Sequence, residues 1–243
     1  MTINNTDIAE YGARLLEYSV GGTEITRVTG NAYSANIPKL FHTDFGQRQI
    51  TVTIVFRPKF QQYDGIVAKL HSLALQKSAF DAKISNGVAE ILLPDDFYYR
   101  CILTSTGSEV TDGESLEVTY TLSGIRHKPL VKIKGKTIQC ASTVKTDCKI
   151  TATVGAKWIE GTMMALLINH LTEDYNSFLI KNLKAGDTVV IDGMNCTVTK
   201  NGQNIFGDTN IIIFPYLRPG KNEFEEMTGQ DCTFVTEYYP TFI

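Results

Sequence analysis

The chain has 243 residues, with 23 lysines and arginines against 26 aspartates and glutamates, a formal net charge of −3 and a pI near 5.8. That balance is too weakly acidic for bulk electrostatics to draw the protein onto nucleic acid or an anionic membrane. Hydrophobic content of 43% with 20% charged residues excludes a disordered chain, and the length allows one large or two modest domains.

The opening residues, MTINNTDIAEYGARLL, lack a cationic stretch followed by an apolar core, so no signal peptide is expected. Gln49 to Phe56 (QITVTIVF) is rich in β-branched residues and bounded by Gly46 and Pro58, which predicts a strand. From Tyr63 to Lys77 the period changes. Ile66, Val67, Leu70, Leu73 and Ala74 recur at helical spacing, with Lys69, His71, Ser72 and Gln76 opposite, which predicts an amphipathic helix with the first set buried. Strands are expected again at Val88 to Leu93, Tyr98 to Thr104 and Leu116 to Leu122, with turns at Pro94-Asp95-Asp96 and Asp112-Gly113.

Arg126-His127-Lys128-Pro129 gathers charges and a proline that removes a ladder donor, so a boundary is placed there: residues 1–129 form one domain and 130–243 a second. The second half reads as almost purely β. Met163 to Leu171 (MMALLINHL) suits a helix or a buried strand, and the short turns around it favour the strand. Its apolar run, Met163 to Ile168, is the longest in the chain and far below the ~18 residues of a membrane span, so no membrane contact is expected.

Asn182 to Phe224 is the densest stretch of turn chemistry. Lys184 to Asp187, Asp192-Gly193 and Asn201-Gly202 place φ-permissive residues between apolar runs. Val189, Ile191, Cys196 and Val198 alternate with polar positions, as on a strand with one buried face. Ile211 to Leu217 is expected to be a strand buried on both faces. Together these predict a β-sandwich edge.

Candidate chemistry is sparse. Gly135-Lys136-Thr137 imitates the end of a phosphate loop, but Leu130 stands where the motif needs its first glycine. Ser142 and Lys145 spell SxxK, yet strand-like spacing sends the two side chains to opposite faces. The pairs Asp95-Asp96 and Glu225-Glu226 diverge on extended backbone, and each reads as solvated turn or surface rather than a glycosidase dyad. His42, His71, His127 and His170 lack paired spacing. Lys132, Lys134 and Lys136 form a basic stripe without the interleaved aromatics of a nucleic-acid groove. Phe97-Tyr98-Tyr99 and Tyr238-Tyr239 with Phe242 read first as core or interface, with stacking on sugar rings as the alternative. Cys101, Cys140, Cys148, Cys196 and Cys232 are odd in number and unpaired in spacing, which predicts five free, buried thiols in a reducing compartment. The sequence therefore offers no catalytic residues, no cofactor site and no metal site, and it does not read as an enzyme.

The residues from Asn182 onward resemble the C-terminal half of the distal tail (Dit) proteins of long-tailed phages. The Asn182-Leu183-Lys184-Ala185-Gly186-Asp187 lead-in, the Ile191-Asp192-Gly193 and Asn201-Gly202 turns, Phe214-Pro215-Tyr216-Leu217-Arg218-Pro219-Gly220-Lys221-Asn222 and the closing Glu237-Tyr238-Tyr239-Pro240 carry the likeness. A looser match runs in the same order through Gly46 to Phe56, the helix, Leu93 to Cys101 and Tyr120 to Leu130. The resemblance implies a mainly β protein. Its N-terminal β-rich domain would carry one α-helix and close into a hexameric ring at the distal end of the tail tube. Its C-terminal galectin-like β-sandwich would sit outside that ring. The implied partners are other copies of the chain, the tail tube protein, the tail hub or tail-associated lysin, and receptor-binding or baseplate proteins. DNA would pass through the ring without sequence-specific binding. The implied setting is the virion, assembled in the cytoplasm of a bacterial host. A module that binds a cell-wall glycan through residues 131 to 243 is the alternative expectation, and a cell-wall glycosidase a third.

Overall fold

The structure, a computed structural model, describes residues 1–31, 38–58, 65–158, 161–170, 174–227 and 231–243, with side chains throughout except at 24–31, 38–45 and 174. Met1–His127 together with Ile243 form one compact unit, and Lys128–Phe242 form a second.

The first unit is a helix packed on an antiparallel sheet. Its strands are β1 (Thr2–Ile3), β2 (Thr6–Asp7), β3 (Ala13–Asn31), β4 (Pro38–Phe56), β5 (Ala89–Leu92), β6 (Tyr98–Thr111) and β7 (Leu116–His127), arranged β2-β1-β5-β6-β7-β4-β3. The expected strand from Gln49 to Phe56 is the end of β4. The strands expected to stop at Thr104 and Leu122 run on to Thr111 and His127 and form a long hairpin. Asp112 closes that hairpin: its Oδ1 accepts from the amides of Glu114 and Ser115, and Gly113 takes φ +87°.

The helix α1 spans Ile66–Ile84; Tyr63 and Asp64, where it was expected to begin, lie outside the described residues. It continues past Lys77, and this changes which face is buried. Leu73, Phe80 and Ile84 are inside, whereas Ile66 and Val67 are 62% and 77% exposed and Ala74 is exposed too. The Phe80 ring sets the rotation. It stands edge-on to Phe56 at 5.4 Å and to Tyr11 at 5.9 Å, and lies 5.2 Å from Tyr120. The sheet side of this core is Ile50, Val52, Ile54 and Phe56 of β4 with Val118, Tyr120 and Leu122 of β7, all fully buried. Strict alternation sends the intervening residues to the other face of the sheet.

The second unit is a two-sheet sandwich. One sheet orders β15 (Gln203–Asn204), β14 (Thr197–Lys200), β13 (Thr188–Asp192), β10 (Thr146–Val154), β18 (Cys232–Tyr238) and β8 (Val131–Lys134). The other orders β12 (Asp174–Leu183), β11 (Gly161–Asn169), β17 (Gly220–Glu226) and β9 (Thr137–Cys140), while β16 (Tyr216–Leu217) pairs with β10. The inner faces meet across one core in which Phe224 of β17 stacks on Phe234 of β18 at 4.4 Å and stands edge-on to Phe178 of β12. Met163 to Asn169 forms a strand, as the short turns around it predicted; Leu171 lies outside the described residues.

The turns follow the sequence in two places and depart from it in a third. Asn201 and Gly202 link β14 to β15 with φ +51° and +82°, the two left-handed residues of a type I′ hairpin. Gly186 takes φ +83° in the Lys184–Asp187 turn, where the Lys184 amide donates to Asp187 Oδ2 at 2.8 Å. After Asp192 the link is longer than the Asp-Gly pair suggested: residues 193–196 form the turn, Asp192 Oδ1 accepts from the Asn195 amide, and Cys196 takes the left-handed φ of +54°. Gly193 serves close packing instead, since a Cβ there would lie 2.5 Å from the Pro215 carbonyl oxygen and 2.8 Å from that of Cys148.

The expected buried strand from Ile211 to Leu217 is not formed. Only Tyr216–Leu217 pairs, with Thr146 and Asp147 of β10. Ile211 is buried, but Ile212 and Ile213 are 94% and 64% exposed. Asn210 explains the departure. Its amide nitrogen donates to the Leu179 carbonyl and its Oδ1 accepts from the Leu179 amide at 2.6 Å, which pins the chain to the edge of β12 before the isoleucines. Pro215 then withholds a ladder donor.

Candidate interaction surfaces

The candidate reactive groups are engaged in local structure. Gly135 takes φ +127° in the turn from β8 to β9, and a strand rather than a helix follows it. Ser142 is buried: its Oγ accepts from the Thr241 amide at 3.0 Å and is 2.9 Å from Thr146 Oγ1. Lys145 is exposed and holds its ammonium 3.8 Å above the Tyr216 ring, so SxxK brings no nucleophile to a base. Asp95 caps its own turn by accepting from the Phe97 amide and the Tyr99 hydroxyl. Burial and that carboxylate together push the Tyr99 phenol well above its ordinary range. Asp96 takes φ +61° in the same turn. Glu225 and Glu226 are consecutive on β17, so their side chains point to opposite faces of the sheet.

The histidines are dispersed. His71 is exposed on α1, His127 is buried with its Nε2 3.6 Å from Glu90, and His170 lies 2.9 Å from Glu223; the side chain of His42 lies outside those described. No group of three or more potential metal ligands occurs among the described residues. Lys132 pairs with Glu237 at 2.7 Å on the edge strand β8, and Lys134 and Lys136 are exposed. Tyr99 and Tyr238 are core residues, while Tyr98, Tyr239 and Phe242 are half-buried.

All five cysteines are free, but the expectation that all are buried fails at Cys196, which the left-handed turn turns outward. Burial raises the Cys101 thiol to about 12 and the Cys232 thiol to about 11, and pushes Cys148 up as well.

What remains is surface. In the first unit, the sheet face turned away from α1 carries Ser19, Gln49, Thr51, Thr119, Thr121 and Ser123, with Thr53 bonded between Thr119 and Glu17. This sheet also ends openly on both sides. β3 lacks a neighbour beyond β4, and β6 lacks one on its outer side past Cys101, where β5 ends, among the described residues. Between α1 and the end of the β6–β7 hairpin runs a groove of about 440 Å³ with Leu70, Leu73, Ala74 and Leu116 on its walls. Lys77 bridges it, pairing with Asp81 on its own helix and with Glu109 of β6 at 3.1 Å.

In the second unit the most organised surface is the turn after β16. Asn222, almost wholly buried, donates from Nδ2 to the carbonyls of Arg218 and Gly220 at 2.8 and 3.0 Å, and its Oδ1 accepts from the Arg218 amide. Asn169 adds bonds to Pro219, Lys221 and Asn222. Two buried amides thus fix the Arg218-Pro219-Gly220 turn from inside. The sequence showed the turn residues. It gave no sign that Asn169, some fifty positions earlier, completes the turn.

Residues 141–242 match the family model described as the siphovirus-type tail component, C-terminal domain. No match was found among curated proteins. Among solved structures, the chain resembles the phage SPP1 Dit protein, described as a hub adsorption apparatus in Gram-positive infecting phages, with a TM-score of 0.72 at 11% identity over 100% of this chain and 98% of that one. It also resembles a chain of the phage P2 baseplate in its activated conformation with Ca, with a TM-score of 0.54 at 12% identity over 98% of this chain and 94% of that one. At such identities the structural likeness speaks for the fold, which it does from end to end, while the family model speaks for the second unit. On the two together, residues 141–242 match the C-terminal domain of the siphovirus-type tail component, and the chain as a whole shares the fold of these tail and baseplate proteins.

Proposed function

We propose that the chain forms a hexameric ring at the distal end of the tail tube, with residues 1–129 closing the ring and residues 130–243 presented outward to receptor-binding or baseplate proteins. The tail tube protein binds one side of the ring and the tail hub or tail-associated lysin the other. Assembly takes place in the host cytoplasm, and the chain works in the virion as scaffold, without catalysis, cofactor or membrane contact.

The observation that carries this reading is the first unit's sheet, open at both ends. A closed ring needs two different, complementary surfaces on each subunit. Unpaired strand edges supply them through backbone hydrogen bonds, and left open they are a liability in a monomer. The outer face of that sheet adds support, because its hydroxyl and amide side chains would offer little to retain the phosphates of passing DNA.

The test is the state of the purified full chain. Negative-stain images and sedimentation are expected to show rings, and Leu16→Glu on β3, whose side chain is 58% exposed, is expected to reduce ring formation without moving the melting temperature. Particles that stay monomeric at high concentration, and with tail partners present, would overturn the reading.

A further inference from the structure

The first unit holds two arginines side by side. Arg48 of β4 lies opposite Gly124 of β7, and Arg126 follows Gly124 by two positions. Residues so placed are diagonal neighbours on one face of a sheet, within reach of each other when their side chains are long. That face is the α1 side, since Ile50 and Leu122, two positions from Arg48 and Gly124, are both core residues. Burial, and then the charge of Arg126, lower the Arg48 pKa from its ordinary value. Each guanidinium is held in place by neutral neighbours or by a chain-end oxygen. Arg48 Nη1 donates to the Gly21 carbonyl at 3.0 Å. Arg126 lies 4.4 Å over the Phe97 ring and donates from Nη2 to an oxygen of Ile243 at 3.0 Å.

Neither arginine forms an ion pair with an Asp or Glu side chain among the described residues. Asp95, beside the Tyr99 that faces Arg126 across the β6–β7 ladder, is taken by the Phe97 amide and the Tyr99 hydroxyl. The Nε–H groups of both arginines are buried and lack an acceptor among the described residues. Completed sites seldom leave buried donors so, and here two are left together.

We propose that Arg48 and Arg126 form a carboxylate site, at which an acidic side chain of a partner protein supplies the missing counter-charge. Two guanidiniums left together repel, and an anion set against both replaces that repulsion with attraction. Both side chains are half-buried, partly shielded from water and still reachable from it. A carboxylate offers two oxygens in a plane, which match the planar fork of a guanidinium. The pair lies opposite the hydroxyl-rich face proposed to look onto DNA. On that reading the anion comes from protein rather than from nucleic acid.

The test is thermal unfolding of the full chain in sodium glutarate, in sodium phosphate and with a hexaglutamate peptide, against sodium chloride at equal ionic strength. Glutarate and the peptide are expected to raise the melting temperature saturably, with half the effect at about millimolar concentration. Arg48→Gln and Arg126→Gln are each expected to weaken glutarate roughly tenfold, the scale of one charge-assisted hydrogen bond. In chloride alone, Arg48→Gln is expected to melt no lower than the parent, because it removes a repelling charge; an arginine with only a structural role would melt lower. Lys134→Gln, at an exposed lysine of the second unit, is expected to leave the glutarate effect unchanged. The proposal is overturned by the absence of any saturable effect, by an effect that survives in both arginine variants, by an equal loss in Lys134→Gln, or by phosphate acting where glutarate does not. Ring formation is read separately by imaging, so either reading can fail without the other.

Discussion

The two units solve the burial of a sheet in different ways. The second sets two sheets face to face, so each apolar face is covered by the other and Phe224 stacks on Phe234 at the centre. The first covers one face of one sheet with one helix, converging on Phe80, and leaves the other face to Ser19, Thr51, Thr121 and their neighbours. A sandwich is saturated by its own chain. A helix on a sheet with both edges unpaired still has surface to share, and that is the unit proposed to join copies together.

The contrast can be broken at its cores. Phe80→Ala removes a ring that touches three others and is expected to cost about 4–5 kcal/mol in urea unfolding followed by circular dichroism, near the top of the range for buried phenylalanine. Phe234→Ala, in a core shared among more side chains, is expected to cost about 3 kcal/mol. Equal losses would mean that the helix is held by far more than its aromatic node. Next in size is Asn222→Ala, which strands the Arg218 amide and two carbonyls inside the turn and is expected to cost about 1–3 kcal/mol.

Smaller still is an acid-sensitive pair on the second unit. The Lys132 ammonium, with help from Lys149, holds Glu237 below the ordinary glutamate range. Because the folded value is depressed, its stabilisation is complete above the ordinary value of 4.5 and is lost as pH falls through the folded one. The melting-temperature gap between the parent and Glu237→Gln is therefore expected to close on acidification, from a starting difference below about 1 kcal/mol for so solvent-screened a pair. Least perturbing is thiol labelling at neutral pH: Cys196 is expected to react promptly, and Cys101, Cys140, Cys148 and Cys232 only on unfolding.

Much of the fold was legible. The β-branched run ending at Phe56, the strand from Met163 and the Asn201-Gly202 hairpin all formed as their chemistry required, because each depends on residues close in sequence. The helix is legible but its buried face is not: Ile66, Val67 and Ala74 have the right period, but Phe80 and Ile84, beyond the expected end, take the core. The isoleucines at 212 and 213 have the pattern of a buried strand, because an apolar run looks alike whether it enters a sheet or crosses its edge. The part of Asn169 was not legible at all, since it bonds to the Pro219 to Asn222 turn across a gap of some fifty residues.

By itself the sequence determined the class of each element and the places where the backbone had to turn, since alternation, glycine and asparagine act within a few residues. It also carried the family likeness, which lies in turn and core patterns rather than in a reacting site. Tertiary structure alone decided which side of α1 is buried, that Gly193 is needed for the close approach of Pro215 and Cys148, and that Asn210 diverts the chain at Ile212. Those outcomes depend on the surface each residue meets, and that surface is built from strands far away in the chain.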